Sequence, residues 1–450
     1  MISEATSTDK QAVHGYRKAY SALQSDALDS QTPSWLSRLR ANAMEQFKEL
    51  GFPTVANEDW KYTNVAPLTR IDFWPSLNHE PSIDTVRFSE SVYAEAAESR
   101  LVFVDGIFNS TLSVTRRVPE GVIAVDLITA LNSESLGGLV REHLGRVVEY
   151  NENGFTALNT ALINGGAVLV IPKGVSVPAP IHLAFVSSSK ANAASFPRVL
   201  IVAEELSSAT LIESYSGRGD QPYFTNAVVE VVLNDGARIE HYRVQDESPA
   251  AFHVTTARAT LARDSRFDTT AITLGGKLSR HNVDVIMEAE GASCSVDGLY
   301  IIDESQHTDT HSLIDHQRPH CTSRQLYKGI LDGKSRAVFN GKVFVRHGAL
   351  GTDAQQTNKN LLLSKEAHVD TKPQLEIFAD DVKCAHGAAI GQLDEEELFY
   401  LESRGIHPDL ARNLLTYGFA EEVIAKIKIE SIKAQLDEAV LNRLHARLEA

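Results

Sequence analysis

A mainly β fold is predicted by this sequence, with a parallel β-helix as its middle part and helices at both ends. From about residue 151 to residue 391, short β-rich runs alternate with glycine, aspartate and proline, and hardly any amphipathic helix interrupts them. One turn recurs there: an apolar residue, two polar residues, then Gly, Asp or Glu, and a small residue. On both sides of this region, apolar residues recur at the steps of three and four that indicate helices.

The spacing of the recurring turn favours a solenoid. Clear copies end at Ala237, Ser265, Ser335 and Ala367, and looser copies end near Ala209 and Ala292. Successive steps between these small residues are 28, 28, 27, 43 and 32 residues. A repeated step near 28 predicts stacked coils, because each coil can bury its apolar residues only against its neighbours. The step of 43 breaks the period, and a β-sandwich is the competing fold, since it spaces strands similarly without a period.

Alternation within the runs agrees with strands that have two different faces. We expect the apolar residues 227, 229 and 231 to face one side of a strand, and Val228, Glu230 and Val232 to face the other. Asparagine and glycine at the corners supply the left-handed backbone conformations that tight turns require.

The N-terminal part is predicted to be helical. Thr32 and Pro33 are typical of a helix start, a capping hydroxyl followed by proline at the first helical position. One apolar stripe follows, made of Leu36, Leu39, Ala43, Phe47 and Leu50. An earlier helix is expected over residues 16–28, an irregular aromatic segment over residues 57–63 (NEDWKYT), a strand and turn over 101–106, and a helical patch over 126–149.

Helical spacing returns after Gly391. Acidic residues 394–397 fit the first turn of a helix that ends at Gly405, because the helix dipole favours negative charge there. Pro408 is expected to start a second helix that stops at Gly418. The last helix is expected to carry an apolar stripe of Val423, Ile427, Ile432, Leu436, Val440 and Leu444. We expect part of this stripe to cap the open end of the solenoid and the remainder to dock a partner.

These patterns divide the chain into four parts. We expect an N-terminal helical region over residues 1–75, a mixed α/β connecting region over 76–150, the β-helix core over 151–392 and a C-terminal helical domain over 393–450.

Composition excludes several classes of function. Acidic residues outnumber basic ones by 59 to 43, so the formal charge of −16 disfavours binding to nucleic acid. The apolar runs are strand-sized and far below the roughly 20 residues needed to span a bilayer, and the N-terminus lacks the apolar core of a signal peptide. Three scattered cysteines do not form a disulfide framework. We therefore expect a cytoplasmic protein with neither membrane nor nucleic acid among its partners.

Two motifs resemble functional sites but have simpler explanations. Residues 329–335 (GILDGKS) resemble a phosphate-binding loop, but only three residues separate the glycines where the motif needs four. Five possible zinc ligands lie close together, namely His307, His311, His316, His320 and Cys321. Odd and even offsets point to opposite faces of a strand, so isolated surface or turn histidines are the favoured interpretation. Cys294, inside a β run, is expected to be a small buried hydrophobe.

Cys384-Ala-His386, near the end of the β region, is a candidate metal-binding pair. Residues two apart on a strand face the same side, so a thiol and an imidazole could share a metal. They supply only two ligands. From the residues themselves structural packing is favoured, and a metal site makes sense only if a second chain completes it.

A longer pattern surrounds this pair. Residues 364–405 carry, in order, His368, Asp370, Lys372, Pro373, Gln374, Glu376, Asp380, Asp381, Cys384, His386 and Gly387. Upstream lie His316-x-x-Pro319-x-Cys321-x-Ser323, the run 337–341 (AVFNG) and Asp353-x-x-Gln356-x-x-Asn-x-Asn360. Together these motifs closely resemble the SufB/SufD family of iron-sulfur cluster assembly scaffolds, over most of the chain. NEDWKYT, and Gly387 where SufB has a glutamate, resemble SufD rather than SufB.

The resemblance implies a right-handed parallel β-helix between helical terminal domains. It further implies a non-catalytic scaffold that pairs with SufB through its last strands and binds the SufC ATPase through its C-terminal helices. A SufB cysteine and His386, with Cys384 beside it, would then meet iron or a nascent cluster at the interface. The resemblance implies no cofactor held tightly by this chain alone, and it leaves open a flavin in the complex and a homodimer without partners.

Three alternatives stay open from the sequence. The chain could be a SufB-like paralogue, or a purely structural adaptor in which His386 only packs. It could also belong to another class, the β-helical enzymes that act on acidic polysaccharides, although the missing export signal argues against that.

Overall fold

The computed structural model describes residues 7–25, 32–76, 88, 92–188 and 190–445. Its core is a parallel β-helix in which successive long strands alternate between two sheets, so the predicted solenoid is confirmed and the β-sandwich is wrong. The core strands are β5 Gly165–Ile171, β6 Ile181–Ser187, β7 Ala193–Ser195, β8 Pro197–Ala203, β9 Ser208–Gly217, β10 Phe224–Leu233, β11 Arg238–Asp246, β12 Phe252–Leu261, β13 Arg266–Thr273, β14 Leu278–Met287, β15 Ser293–Ile302, β16 His307–His316, β17 Thr322–Leu331, β18 Arg336–Val345, β19 Asp353–Leu362, β20 His368–Ile377 and β21 Lys383–Gly391.

The strands that precede the core are short: β1 Trp74–Pro75, β2 Arg100–Val104, β3 Ile107–Phe108 and β4 Ile123–Asp126. Sheet A runs in the order β20-β18-β16-β14-β12-β10-β8-β5-β4, with β1 and β7 beside it. Sheet B runs in the order β21-β19-β17-β15-β13-β11-β9-β6-β2-β3. The two ends of the stack differ: β4 pairs antiparallel with β5, and β3 antiparallel with β2. These strands cover one end, whereas β20 and β21 form the other.

The alternation of side chains along residues 227–232 correctly predicted which of them face the core. Ala227, Val229 and Val231 lie in the apolar core between the sheets, and Val232 packs outward against a separate cluster. The predicted strand and turn over residues 101–106 are β2 and its hairpin to β3.

The broken repeat has a structural cause. Ser207, Ala237, Ser265, Ala292 and Cys321 stack at one corner, where each accepts a backbone hydrogen bond from the residue that opens the next strand of sheet B. Ser335 and Ala367 belong to the other corner, before strands of sheet A. The step of 43 residues therefore compared two different corners, and the looser copy near Ala209 ends two residues beyond the stacked position.

Helices cover the N-terminal side of the solenoid: α1 Ser7–Gln24, α2 Ser34–Leu50, α3 Ala66–Thr69, α4 Leu127–Asn132, α5 Gly137–His143 and α6 Gly154–Ala161. Pro33 itself is the N-cap of α2, and the Thr32 side chain does not cap it, which corrects the predicted start by one residue. Gly154 allows the start of α6 to touch the end of α2, since a Cβ there would lie 1.9 Å from the Gly51 carbonyl oxygen. Residues 26–28 of the predicted first helix lie outside the described residues.

The C-terminal helices are α7 Glu395–Ser403, α8 Pro408–Ile424 and α9 Glu430–His445. The expected stop at Gly418 is wrong, because α8 continues through it. Val423 belongs to α8, and Ile427 to the turn before α9. The apolar stripe from Val423 to Val440 packs on the outer face of sheet B, against residues such as Tyr242 and Val244, and not over the end of the solenoid. The side chain of Leu444, the last member of the predicted stripe, lies outside the described residues. The predicted cap is therefore wrong, and within the described residues β20 and β21 stay open.

Within the described residues, none of the helices combines the length and apolar character that crossing a membrane requires.

Candidate functional site: the open end of the solenoid

The last two strands form an exposed end of the parallel stack. β20 pairs with β18 and β21 pairs with β19, and each is the last strand of its sheet. Residues 385–391 are all exposed, and so are the apolar side chains of Ile377, Phe378 and Ile390. Strand edges that carry free backbone groups and apolar side chains are surfaces on which another strand can pair.

Cys384 and His386 lie together on β21, on the face that continues the interior of the solenoid. Cys384 is in register with buried Ala354 and packs against the core. His386 is in register with Gln356, whose side chain is buried. Register partners in a sheet share a face, so both side chains of β21 point to the interior side. Because no further turn follows, His386 is exposed there.

The thiol of Cys384 is protonated at neutral pH unless a ligand is present. Partial burial raises the pKa of Cys384, and the nearby Asp353 carboxylate adds to the rise, whereas the backbone N–H of Ala354 opposes it. The described residues include no cluster of three or more His, Cys, Asp and Glu placed to hold a metal. This end of the chain thus presents two possible donors on one face, and further ligands would have to come from another molecule.

A chain of buried polar side chains leads to His386 from inside the solenoid. Gln325 donates a hydrogen bond from Nε2 to Ser312 Oγ at 2.8 Å, and Gln356 donates from Nε2 to Gln325 Oε1 at 2.7 Å. Gln356 Oε1 is buried, and none of the described residues donates a hydrogen bond to it. Gly341 makes room for this amide, because a Cβ at that position would lie 2.4 Å from Gln356 Nε2.

The aromatic segment 57–63 is anchored on the outer face of sheet A. Arg280 lies over the Trp60 ring, 3.8 Å from its centroid, and forms a 2.5 Å ion pair with Asp309. Thr63 Oγ1 also donates to Asp309 Oδ2 at 2.5 Å. Burial alone would raise the pKa of Asp309, but the Arg280 guanidinium holds it well below its usual range. The carboxylate is therefore charged, with Arg280 and Thr63 on its Oδ2 and His311 Nε2 3.2 Å from its Oδ1.

The same segment reaches the last turn. Glu58 accepts a hydrogen bond from Lys372 Nζ on β20 at 2.7 Å. The N-terminal region is in this way connected to the open end, although most of its contacts lie on earlier strands.

The histidine-rich stretch does not converge on one point. His307 and His311 lie on the outer face of β16, where His307 contacts Thr63 and His311 contacts Asp309. His316 faces the interior and contacts Ser323 Oγ at 2.9 Å, and burial lowers its pKa to about 4. His320 is an exposed corner residue. Each imidazole thus has its own surroundings.

The other residues singled out in the sequence are structural. Cys294 is buried in the core, as expected. Cys321 fills a corner, and its thiol donates to backbone carbonyls. Residues 329–335 form the end of β17 and the following turn, and no helix follows them as one would follow a phosphate-binding loop.

Sequence reasoning missed three of the groups just described. Gln325, Arg280 and Asp309 are polar residues at buried positions of strands. The available signal was a polar residue in an otherwise buried strand, at an inward position for Gln325 and on the outer face of sheet A for Arg280 and Asp309. The partner of each residue lies on another strand.

The C-terminal helices carry an exposed apolar surface of their own. None of the residues of α7 is buried. Four large apolar side chains are exposed on α7 and α8: Phe399, Tyr400, Leu410 and Leu414. The predicted acidic first turn of α7 consists of Glu395, Glu396 and Glu397, and Asp394 is its N-cap, which accepts from the backbone N–H groups of Glu396 and Glu397.

Comparison with known proteins identifies the family. Residues 185–419 match the family model described as SUF system FeS cluster assembly, SufBD core domain, and residues 10–183 match the SufBD protein N-terminal region. The chain is 36% identical to an iron-sulfur cluster assembly SufBD family protein of Synechocystis, over 94% of each chain. It is 32% identical to the iron-sulfur cluster assembly protein SufD of Escherichia coli, over 90% of this chain and 91% of that one. It is 31% identical to the iron-sulfur cluster assembly protein SufD of Bacillus subtilis, over 92% of this chain and 95% of that one. The chain belongs to the SufBD family of iron-sulfur cluster assembly proteins.

Proposed function

We propose that this protein is a non-catalytic scaffold subunit whose open solenoid end pairs with a sister subunit of the SufB type. The observation that carries the proposal is the exposed end formed by β20 and β21, which bears His386 on its interior side. A second parallel β-helix that adds its own last strands would continue both sheets and cover the exposed Ile377 and Ile390.

We propose that His386 is a ligand of iron or of the nascent cluster. Iron or a nascent cluster is the substrate of the assembly, and neutral imidazole is a suitable iron ligand. Among the described residues, Cys384 is the one other possible metal donor on this face of β21. The thiolate that completes the site is therefore proposed to come from the partner, as the family resemblance implies. Membership of the SufBD family favours this role over polysaccharide chemistry.

A second contact is proposed for the C-terminal helices. α8 and α9 are held on the outer face of sheet B by an apolar cluster. The exposed Phe399, Tyr400, Leu410 and Leu414 are left available for a SufC-type ATPase. Nucleotide-driven closure of two such ATPase subunits would act on these helices and, through sheet B, on the contact at β21.

The test is to co-express the chain with SufB and SufC, purify the complex without oxygen, and measure iron, sulfide and subunit stoichiometry. His386→Ala is expected to leave the stoichiometry unchanged and to abolish bound cluster, because one ligand is lost and the strand edge is kept. His320→Ala, which removes an exposed corner histidine, is the matched control and should keep the cluster. Full cluster yield in His386→Ala would show that His386 is not a ligand, and the protein would then be a purely structural adaptor.

A further inference from the structure

We propose that Gln356 is a positioning residue for His386. Its side-chain carbonyl accepts an N–H from the imidazole and thereby selects which ring nitrogen is free to bind metal. The inference deepens the proposed function and rests on it, since it presumes that His386 is a ligand.

The carbonyl of Gln356 is held ready on β19. The NH₂ group of this amide donates a hydrogen bond to Gln325 Oε1 at 2.7 Å, and Gln325 Nε2 donates in turn to Ser312 Oγ. The opposite atom, Oε1, is buried and receives no hydrogen bond from any described residue. Buried carbonyl oxygens nearly always have a donor, so this atom is an acceptor available to a donor on the open side of the turn.

His386 is the donor that the topology supplies. It is in register with Gln356 on the adjacent strand, and the backbones of adjacent strands lie about 4.8 Å apart. The other inward-facing side chains of β21 are those of Cys384, Ala388 and Ile390. Alanine and isoleucine have no donor, and a thiol is a weak one. A rotation of the exposed imidazole brings one of its N–H groups to Oε1.

The consequence is chemical. A neutral imidazole carries one N–H, so the nitrogen that donates to Gln356 cannot bind iron and the other nitrogen must. A ligand histidine usually donates its second nitrogen to such an acceptor, and loss of the acceptor typically costs about 10- to 100-fold in metal affinity.

The experiment measures the tautomer of His386 in the full chain alone, without partner or metal. The chain is labelled with ¹⁵N-histidine, and the His386 signals are identified by their loss in His386→Ala. At a pH where imidazole is neutral, the wild-type signals should show one dominant tautomer. Gln356→Met keeps the length of the side chain but removes the carbonyl and the NH₂ of the amide, and it should shift the signals to those of a mixture.

Two variants separate positioning from mere structure. Gln356→Glu keeps an acceptor and should keep the single tautomer. Asn360→Leu removes another buried amide on the inward face of β19, one that is in register with Ile390, and should leave the His386 signals unchanged. If Gln356→Met does not fold, Gln356→Glu decides, because a mixed tautomer there would overturn the proposal.

Identical His386 signals in the wild type and Gln356→Met would also overturn it. In the anaerobic complex with SufB and SufC, Gln356→Met should lower cluster yield about tenfold or more while the complex still forms. The two proposals fail separately: full cluster yield in His386→Ala refutes the role of His386, whereas unchanged tautomer signals refute only the role of Gln356.

Discussion

Arg280 and Asp309 show how single residues attach the N-terminal segment to the solenoid. Their side chains are only 2% and 1% exposed. Arg280 also stacks on Trp60 and donates to the Asp59 carbonyl oxygen at 2.7 Å. Two charges out of water are tolerated only while each satisfies the other, so each residue depends on its partner.

Asp309→Ala is expected to lower the free energy of unfolding by about 3–5 kcal/mol, because it leaves the buried Arg280 guanidinium without its counter-charge. Urea denaturation followed by circular dichroism measures the change. Glu98→Ala, which breaks an exposed ion pair with Arg116, is the control and should not move the transition midpoint measurably. An equally small effect for Asp309→Ala would contradict the account of this pair.

At this scale the sequence predicted only part of the geometry around the candidate site. Cys384 and His386 could be found because a two-residue step is a local property of a strand. The roles of Gln356 and Asp309 could not, because they depend on which distant strands lie in register. Register is set by the stacking of whole turns.

The two terminal strands offer different edges. Lys383 donates its backbone N–H to Thr352 on the β19 side, and alternate residues of a parallel strand donate to opposite neighbours. The N–H groups of Cys384, His386, Ala388 and Ile390 therefore point to the open edge of β21. On β20, His368 and Phe378 donate toward β18, so the odd-numbered Pro373 lies where an outward N–H would otherwise be. Proline at that position limits pairing at one edge strand, which leaves β21 as the edge with more donors.

Ala388→Pro is expected to block pairing with the partner and to leave the chain folded. It removes one outward N–H from β21 without breaking a hydrogen bond to β19. Co-purification with SufB, followed by size-exclusion chromatography with light scattering, measures the loss of complex.

Ala388→Val is the control for this experiment, because it enlarges the side chain and keeps the N–H. It should retain the complex. A complex of normal yield with Ala388→Pro would mean that β21 is not the pairing edge.

The C-terminal helices show where element patterns mislead. The apolar stripe was correctly predicted from Val423 to Val440, but part of it was expected to cap the end of the solenoid and the remainder to dock a partner. The outer face of sheet B carries its own apolar residues, including Ile212, Ile272 and Ile301. A helix buries more apolar surface on such a face than on a narrow strand end, and the sequence does not say which two apolar faces meet.

Within the described residues the solenoid has one covered end and one open end, and several histidines of the molecule are kept neutral by burial. Burial lowers the pKa of His182 to about 3 and that of His316 to about 4, and it holds the pKa of His281 well below its usual range. In the unfolded chain these groups bind protons below about pH 6.5. Between about pH 6.5 and 4 the unfolded state therefore binds more protons than the folded state.

The free energy of unfolding is thus expected to fall as the pH drops through this window, by about 1.4 kcal/mol per pH unit for each such histidine once it is fully protonated in the unfolded state. His182→Gln keeps a polar group near Ser214, which His182 Nε2 contacts at 2.7 Å. It should reduce the slope of the free energy of unfolding against pH by the contribution of about one proton. Urea denaturation at a series of pH values between 7 and 4.5 measures it.

The control for the pH series is His320→Gln, at an exposed corner, which should keep the wild-type slope. A His182→Gln slope equal to that of the wild type would show that His182 takes up its proton in the folded state.

Periodicity in the sequence by itself determined the β-helix, the alternation of inward and outward residues, the terminal helices and the Cys384–His386 pair, because each follows from contacts within a strand, a turn or a helix. Tertiary structure decided which corner each turn residue occupies, where the C-terminal stripe is buried, and which buried amide stands opposite His386. Those outcomes depend on register between turns and on which surfaces meet, and these are set by the packing of residues far apart in the chain.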